Sequence, residues 1–148
     1  MYDLTKREIE ALDNVLIFAK RAINGFERVN INSGLDLLKN IDAQDAVARR
    51  IEEVGENVGH LSAGFKHEFP AMPWQQMKNM RNLISHNYGR TNWDLVFTTV
   101  NQDFPQLIDY IESTVNLSKT LPVPDVFETD GLFEDVQQYD PEIDEPSI

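Results

Sequence analysis

Apolar residues recur at steps of three and four along almost the whole chain, and no run alternates with a period of two. That pattern predicts helices throughout and no sheet. The first stripe is Ile9, Leu12, Leu16, Ala19, Ile23 and Phe26, ended by the turn formers of Asn30-Ile31-Asn32-Ser33-Gly34. A short piece, Leu35-Asp36-Leu37-Leu38, leads to Asp42, read as an N-cap. Val47, Ile51, Val54, Val58, Leu61 and Phe65 then predict one long second helix. Pro70 and Pro73 interrupt the chain, and Pro73 suits the first turn of a third helix that carries Trp74, Met77, Met80 and Ile84 and ends near Gly89. Thr91, with Asp94 three residues on, reads as a weak capping box for a fourth helix. Its stripe is Trp93, Phe97, Val100, Phe104, Leu107, Ile111 and Val115, and Pro105 inside it should kink or split it. Four amphipathic helices with short connections imply an all-α, up-and-down four-helix bundle.

Gly55 and Gly59 interrupt the second helix at a cost of about 1 kcal/mol each relative to alanine. Four residues apart, they share a face, so another backbone should approach closely there, within the bundle in preference to across a dimer contact. After Thr120 the periodicity fades into a segment with Pro122, Pro124, Pro141 and Pro146. Residues 1–120 are therefore read as the bundle and 121–148 as a tail that is extended when alone. Val123, Val126, Phe127, Leu132, Phe133 and Tyr139 give the tail apolar points for docking on a partner.

The net charge of −12 is unevenly divided. Residues 1–120 hold all 13 basic residues and 16 acids, whereas 121–148 hold nine acids and no base. The tail is acidic and the bundle nearly neutral, without the broad basic footprint of a general nucleic-acid binder. With no cysteine, disulfides, thiolate metal sites and cysteine nucleophiles are excluded. The first residues contain no apolar signal core, and no apolar stretch approaches the roughly 20 residues that span a bilayer, so the expectation is a cytoplasmic protein without a membrane partner.

Candidate chemistry concentrates in Met80-Arg81-Asn82-Leu83-Ile84-Ser85-His86-Asn87-Tyr88. A histidine titrates near neutrality and can exchange the protons of a ribose hydroxyl and a leaving oxygen. An arginine is always charged and matches phosphate oxygens two at a time. Together they suit phosphodiester transfer, although an Arg and a His on a helix end can equally make surface hydrogen bonds. On one straight helix His86 would lie about 140° from Arg81, so a frayed helix end or a second copy is needed to bring them together. Glu56 and His60, four apart, have a spacing that can hold a metal, but no second carboxylate–histidine pair completes a ligand set, and no metal is expected. Arg49, Arg50 and Arg90 are candidate phosphate contacts.

Embedded in this pattern, Arg81-x4-His86-x-Tyr88 resembles the signature of the HepT family of HEPN-domain toxins. Around it, Arg50-Ile51-Glu52-Glu53-Val54-Gly55-Glu56 is similar to the family's helix ending in Gly-Glu, Pro73-Trp74-Gln75-Gln76-Met77 precedes the motif, and Asp103-Phe104-Pro105-Gln106-Leu107 looks like its Leu-Pro-x-Leu stretch. The resemblance covers about residues 4–118; Asn57 departs from the family's alanine after Gly-Glu. It implies a HEPN-type bundle, a homodimer with two motifs facing one cleft, and RNA cleavage, of a tRNA or an mRNA, without metal or other cofactor. It implies that Arg81 stabilises the phosphate, His86 is the acid–base group, Asn82 orients the site, and Tyr88 receives AMP from an MntA-type nucleotidyltransferase antitoxin. Two other readings stay open: a non-catalytic HEPN domain that binds nucleotides or assists a nucleotidyltransferase, and a helical interaction module.

Overall fold

Residues 2–85 and 87–115 are described by a computed structural model; the tail reading for 121–148 and the position of His86 lie outside them. Among the described residues the chain is helical, with no strand. The elements are α1 (Lys6–Arg28), α2 (Gly34–Leu38), α3 (Ile41–Val58), α4 (Ala63–Glu68), α5 (Trp74–Lys78), 3-10 turns at Met80–Leu83 and Tyr88–Arg90, α6 (Trp93–Thr98), a wide π turn at Thr99–Asp103, α7 (Phe104–Tyr110) and a second π turn at Ile111–Val115. Helix α1 packs along α3 and against α7; α5 lies on α3, and α2 covers α6. The all-α bundle expected from the periodicity is the fold observed.

The stripes are the core. Leu12, Val15 and Ala19 of α1, Val47, Ile51, Val54 and Val58 of α3, and Val96, Val100, Phe104 and Ile111 of the last helical stretch are all essentially without solvent access. Phe26 and Phe97 stack at 5.8 Å, joining the end of α1 to α6. Asn30 takes the left-handed conformation in the turn after α1 (φ 58°), which asparagine tolerates better than most residues.

Several local expectations are corrected. The N-cap of α3 is Asn40, whose side chain accepts from the Ala43 N–H; Asp42 sits within the first turn. The second helix stops at Val58, and Ser62 caps a separate α4, so Phe65 reaches the core from a new direction. Pro73 is the N-cap of α5, not its first residue. The third helix does not run to Gly89: it ends at Lys78, tightens into a 3-10 turn, and becomes extended at Ile84 (φ −104°, ψ 112°). Asn92, not Thr91, caps the fourth helix, accepting from the Leu95 N–H. Pro105 brings no break in the helical backbone. It follows a π turn in which the Phe104 N–H reaches back to the Thr99 carbonyl, a wider register just where proline offers no N–H of its own.

Gly55 is where a second backbone approaches, as expected. A Cβ there would stand 3.2 Å from the carbonyl oxygens of both Met77 and Lys78 and 3.8 Å from the Arg81 nitrogen. Gly59 plays a different part. It ends α3 with an ordinary right-handed backbone, and a Cβ on it would meet mainly its own helix. Asn57 is buried and bridges helices, accepting from the Asn14 amide and donating to the Glu53 carbonyl. Its polarity serves α1–α3 packing.

Glu8, 1% exposed, ties α1 to α4. Its carboxylate accepts from the Thr5 N–H (3.0 Å) in a capping box, from the Tyr2 hydroxyl, and from both the N–H and the hydroxyl of Ser62, the cap of α4. Burial pushes the Glu8 pKa up, but the hydrogen bonds from Ser62, Thr5 and Tyr2 together outweigh it and hold the group below the usual glutamate range. A depressed folded pKa means stability that is present above the unfolded value, near 4.3, and lost as pH falls through the folded one.

Two outcomes follow from this packing. Gly55→Val should cost about 1–3 kcal/mol in urea denaturation by overpacking. Gly55→Ala should cost less, because roughly 1 kcal/mol of helix propensity offsets the squeeze; a valine variant as stable as wild type would contradict the close approach. Glu8→Gln should lose about 1.5–3 kcal/mol near neutral pH, the range for hydrogen bonds to a charged group. The gap between the two proteins' melting temperatures should close as pH is lowered from about 5 towards 3, since only the wild type has a carboxylate to protonate.

Candidate active site

The contact at Gly55 fixes where the motif begins. Because α5 and its 3-10 turn press on α3 at a residue without a side chain, Arg81 emerges beside the exposed face of α3 that carries Glu52 and Glu56. From there the chain is held by short hydrogen bonds instead of a helix. The Ser85 N–H donates to the Thr91 hydroxyl (2.9 Å), the Asn87 N–H to the Ser85 hydroxyl (3.2 Å), and the Gly89 N–H to the Asn87 side chain (3.0 Å). Thr91 is buried, so the loop is anchored at its base. Arg81 and Tyr88 thus stand on separate 3-10 turns and not on one straight helix, whereas the angle expected between Arg81 and His86 lies outside the described residues.

Tyr88 is locked against α6. Its ring meets Trp93 edge to face at 5.3 Å, and its carbonyl accepts from the Trp93 indole N–H (3.3 Å). Burial raises the pKa of its hydroxyl first; the Asp45 carboxylate, by charge and by hydrogen bond, and then the charge of Glu52 raise it further. The phenol thus stays protonated in an acidic neighbourhood on α3.

Arg81, Asn82, Ile84, Ser85 and Tyr88 line one open cavity of about 820 Å³, together with Glu52. On its other side Arg81 borders a smaller cavity of about 280 Å³ with Gly55, Glu56, Gly59, His60, Lys78 and Asn79. A strong, permanently charged donor in an open, polar-walled cavity is suited to an anionic ligand such as a phosphodiester.

The other candidate residues are distributed differently. His86 lies outside the described residues. Arg49 is engaged by Glu53 at 3.1 Å on the surface of α3. Arg50 turns towards α1, where its guanidinium lies on Gly25. Arg90 is exposed on the second 3-10 turn and does not line the cavity. His60 pairs with Glu56 at 3.8 Å, and among the described residues no third ligand joins them. Sequence reasoning gave no site role to Glu52 or Asp45, and counted Ser85 only among the polar groups of the motif. Glu52 could have been found: it precedes Gly55 by three residues, hence lies on the face where a second backbone was expected. The Asp45–Tyr88 pairing had no sequence signal.

Comparisons with known proteins place the chain in a family. A family model described as Ribonuclease HepT-like matches residues 19–114. The chain is 27% identical over 110 residues to a Methanocaldococcus jannaschii protein named "Putative RNase MJ1380", covering 74% of this chain and 98% of that one. It is 33% identical over 72 residues to the "Probable ribonuclease HepT" of Thermococcus cleftensis, covering 49% of this chain and 66% of that one. A Caldanaerobacter subterraneus protein named "Putative RNase TTE0752" is 27% identical over 93 residues, 63% of this chain and 83% of its own. No solved structure matches. No helix among the described residues is long and apolar enough to cross a membrane. With the family model spanning well over half of its length, the chain belongs to the HepT-like ribonuclease family.

Proposed function

We propose that this protein is a metal-independent endoribonuclease, the toxin of a type VII toxin–antitoxin pair, with Arg81 and His86 as its catalytic residues. The observation that carries the reading is the convergence of Arg81, Asn82 and Tyr88 on one open cavity in a chain of the HepT-like family. In the reaction a ribose 2′-oxygen attacks the adjacent phosphorus while the bond from phosphorus to the 5′-oxygen breaks. His86 takes the proton from the 2′-hydroxyl, and an imidazolium returns one to the departing 5′-oxygen. Arg81 holds the phosphate oxygens as charge builds on them. Asn82 donates to the phosphate or the base beside it.

The working form is a homodimer that joins two motifs in one cleft. An apolar groove of about 660 Å³ beside the motif supports this, lined by Met77, Met80, Leu83, Leu95 and Leu107 and bordered by Asn82. Leu95 is 47% exposed in the single chain, and a second copy would cover it. Regulation acts through Tyr88. A nucleotidyltransferase of the MntA type supplies ATP; the phenol oxygen attacks the α-phosphorus, pyrophosphate leaves, and the phenol's proton passes to a carboxylate such as Asp45. The bound AMP then fills the mouth of the cavity, and its negative charge competes with RNA for Arg81.

Three outcomes are expected, on cleavage, on the dimer and on Tyr88. Arg81→Ala and His86→Ala should each lower RNA cleavage by about 10²–10⁴ at unchanged helix content. Mixing the two variants should restore part of the activity if the essential pair forms across the dimer; no recovery, with light scattering showing a monomer at micromolar concentration, would contradict the shared cleft. Tyr88→Phe should fold normally, since the Trp93 contact uses the ring and the backbone carbonyl, yet should resist neutralisation by the nucleotidyltransferase. Mass spectrometry should find AMP on the wild-type peptide carrying Tyr88, and full inactivation with Tyr88 unmodified would exclude this regulation.

A further inference from the structure

Across α3 from the candidate active site, Arg28 and Arg50 line one groove, and Arg21 lies close enough for its charge to act on Arg50. Arg21 and Arg28 lie seven residues apart on α1, with Gly25 between them, and Arg50 reaches over from α3. At about 100° per residue, Arg50 and Glu52 are some 160° apart around α3, so this groove and the Arg81–Tyr88 cavity open on different faces.

The arrangement is built. Arg50 is half-buried, and its guanidinium rests on the buried backbone of Gly25. A Cβ at that position would collide with Nη1 and stand 3.5 Å from Cζ, so the seat exists because residue 25 has no side chain. Arg21 is steadied by the face of Phe18, 5.2 Å from the ring centre. Arg28 and Arg50 line a cavity of about 210 Å³ with Phe26, Val29, Asn40 and Asp42 among its walls. A water occupies about 30 Å³, so the space admits a phosphate with ordered waters.

The one acidic wall of the cavity, Asp42, does not come within ion-pair distance of the arginines. Among the described residues none of the three arginines forms an ion pair, although Lys20, Arg49 and His60 nearby in sequence each find a carboxylate. Arg28 gains something from the carbonyl end of α1, whose last turn it occupies. Arg50 has no such compensation. Burial, and then the charges of Arg28 and Arg21, make its protonated form harder to keep. A guanidinium carries five N–H donors, and leaving them half-buried among like charges is unfavourable without an anion to accept from them.

We infer that the groove of Arg28 and Arg50, with Arg21 beside it, is a phosphate-binding exosite that grips the RNA backbone away from the point of cleavage. The ligand is a phosphodiester of a strand long enough to pass around α3, and guanidinium groups suit it because they match phosphate oxygens in pairs. The identity of that strand rests on the ribonuclease reading, whereas the anion site itself rests on the arginine geometry. The exosite also gives RNA affinity to a chain whose net charge of −12 is against it.

Fluorescence anisotropy with a labelled single-stranded RNA tests this on the full chain, with His86→Ala present throughout so that the RNA stays intact. Adding Arg28→Ala and Arg50→Ala should weaken binding at least tenfold and reduce the slope of log affinity against log salt by about 1.4, roughly 0.7 for each phosphate no longer neutralised. Lys6→Ala with Arg7→Ala, at the far end of α1, should leave the slope unchanged. Gly25→Val keeps every charge but unseats Arg50, and should weaken binding as well; circular dichroism checks that each variant is folded. Unchanged affinity and slope in the Arg28/Arg50 variant, or no RNA binding by the His86→Ala parent at low salt, overturns the exosite. Cleavage of a dinucleotide, too short to reach the groove, is read separately: arginine-dependent binding without cleavage keeps the exosite and removes the ribonuclease reading, whereas cleavage with arginine-independent binding does the reverse.

Discussion

The contact between Gly55 and the carbonyls of Met77 and Lys78 is the constraint on which the described part of the site depends. Two backbones this close leave little room for a side chain at position 55 of α3, and the helix that presses there ends at Lys78. It tightens to a 3-10 turn at Met80, and that turn delivers Arg81 and Asn82 to the edge of α3 beside Glu52. A glycine in a helix interior costs about 1 kcal/mol. Here that local loss is compensated by the placement of the chain that carries the candidate chemistry.

Polar groups set the two ends of this arrangement. Glu8 collects donors from Thr5, Tyr2 and Ser62 and so fixes α4 relative to α1, which leaves Phe65 in the core and starts the descent towards α5. At the other end the Thr91 hydroxyl holds Ser85, and Trp93 holds Tyr88. Around α3 the charges are sorted by face. Asp45 and Glu52 surround the tyrosine hydroxyl, whereas Arg50 joins Arg21 and Arg28 on the side of α1. One helix thereby keeps the acidic surroundings of Tyr88 apart from a cationic groove.

Much of the fold was legible in the sequence because burial is periodic. Each apolar stripe, from Ile9 to Val115, lies in the core with few exceptions, such as Ile9, Ile23, Ile84 and Phe97, which are partly exposed. The Thr5-x-x-Glu8 spacing is a capping-box pattern that the sequence reading passed over, and its partner Ser62, 54 residues away from Glu8, had no such signal. Periodicity misled where a stripe crossed a break. Leu61 and Phe65 keep the spacing of α3 yet follow a turn, and Ile84 keeps the spacing of α5 yet is extended. Apolar spacing reports which residues go inward, but not whether the backbone between them stays helical. For the candidate site the motif Arg81-x4-His86-x-Tyr88 named its own members, and the glycine pattern pointed to the helix beneath. Asp45 and the arginine groove depend on tertiary contacts that no local spacing encodes.

The central claim is that this bundle cuts RNA with its own side chains. Incubating the purified full-length protein with total RNA in EDTA tests it most directly, with the products resolved on a denaturing gel. The account predicts cleavage that survives the chelator and disappears in His86→Ala. RNA left intact by a folded wild-type protein, or cleaved equally by His86→Ala, would contradict it.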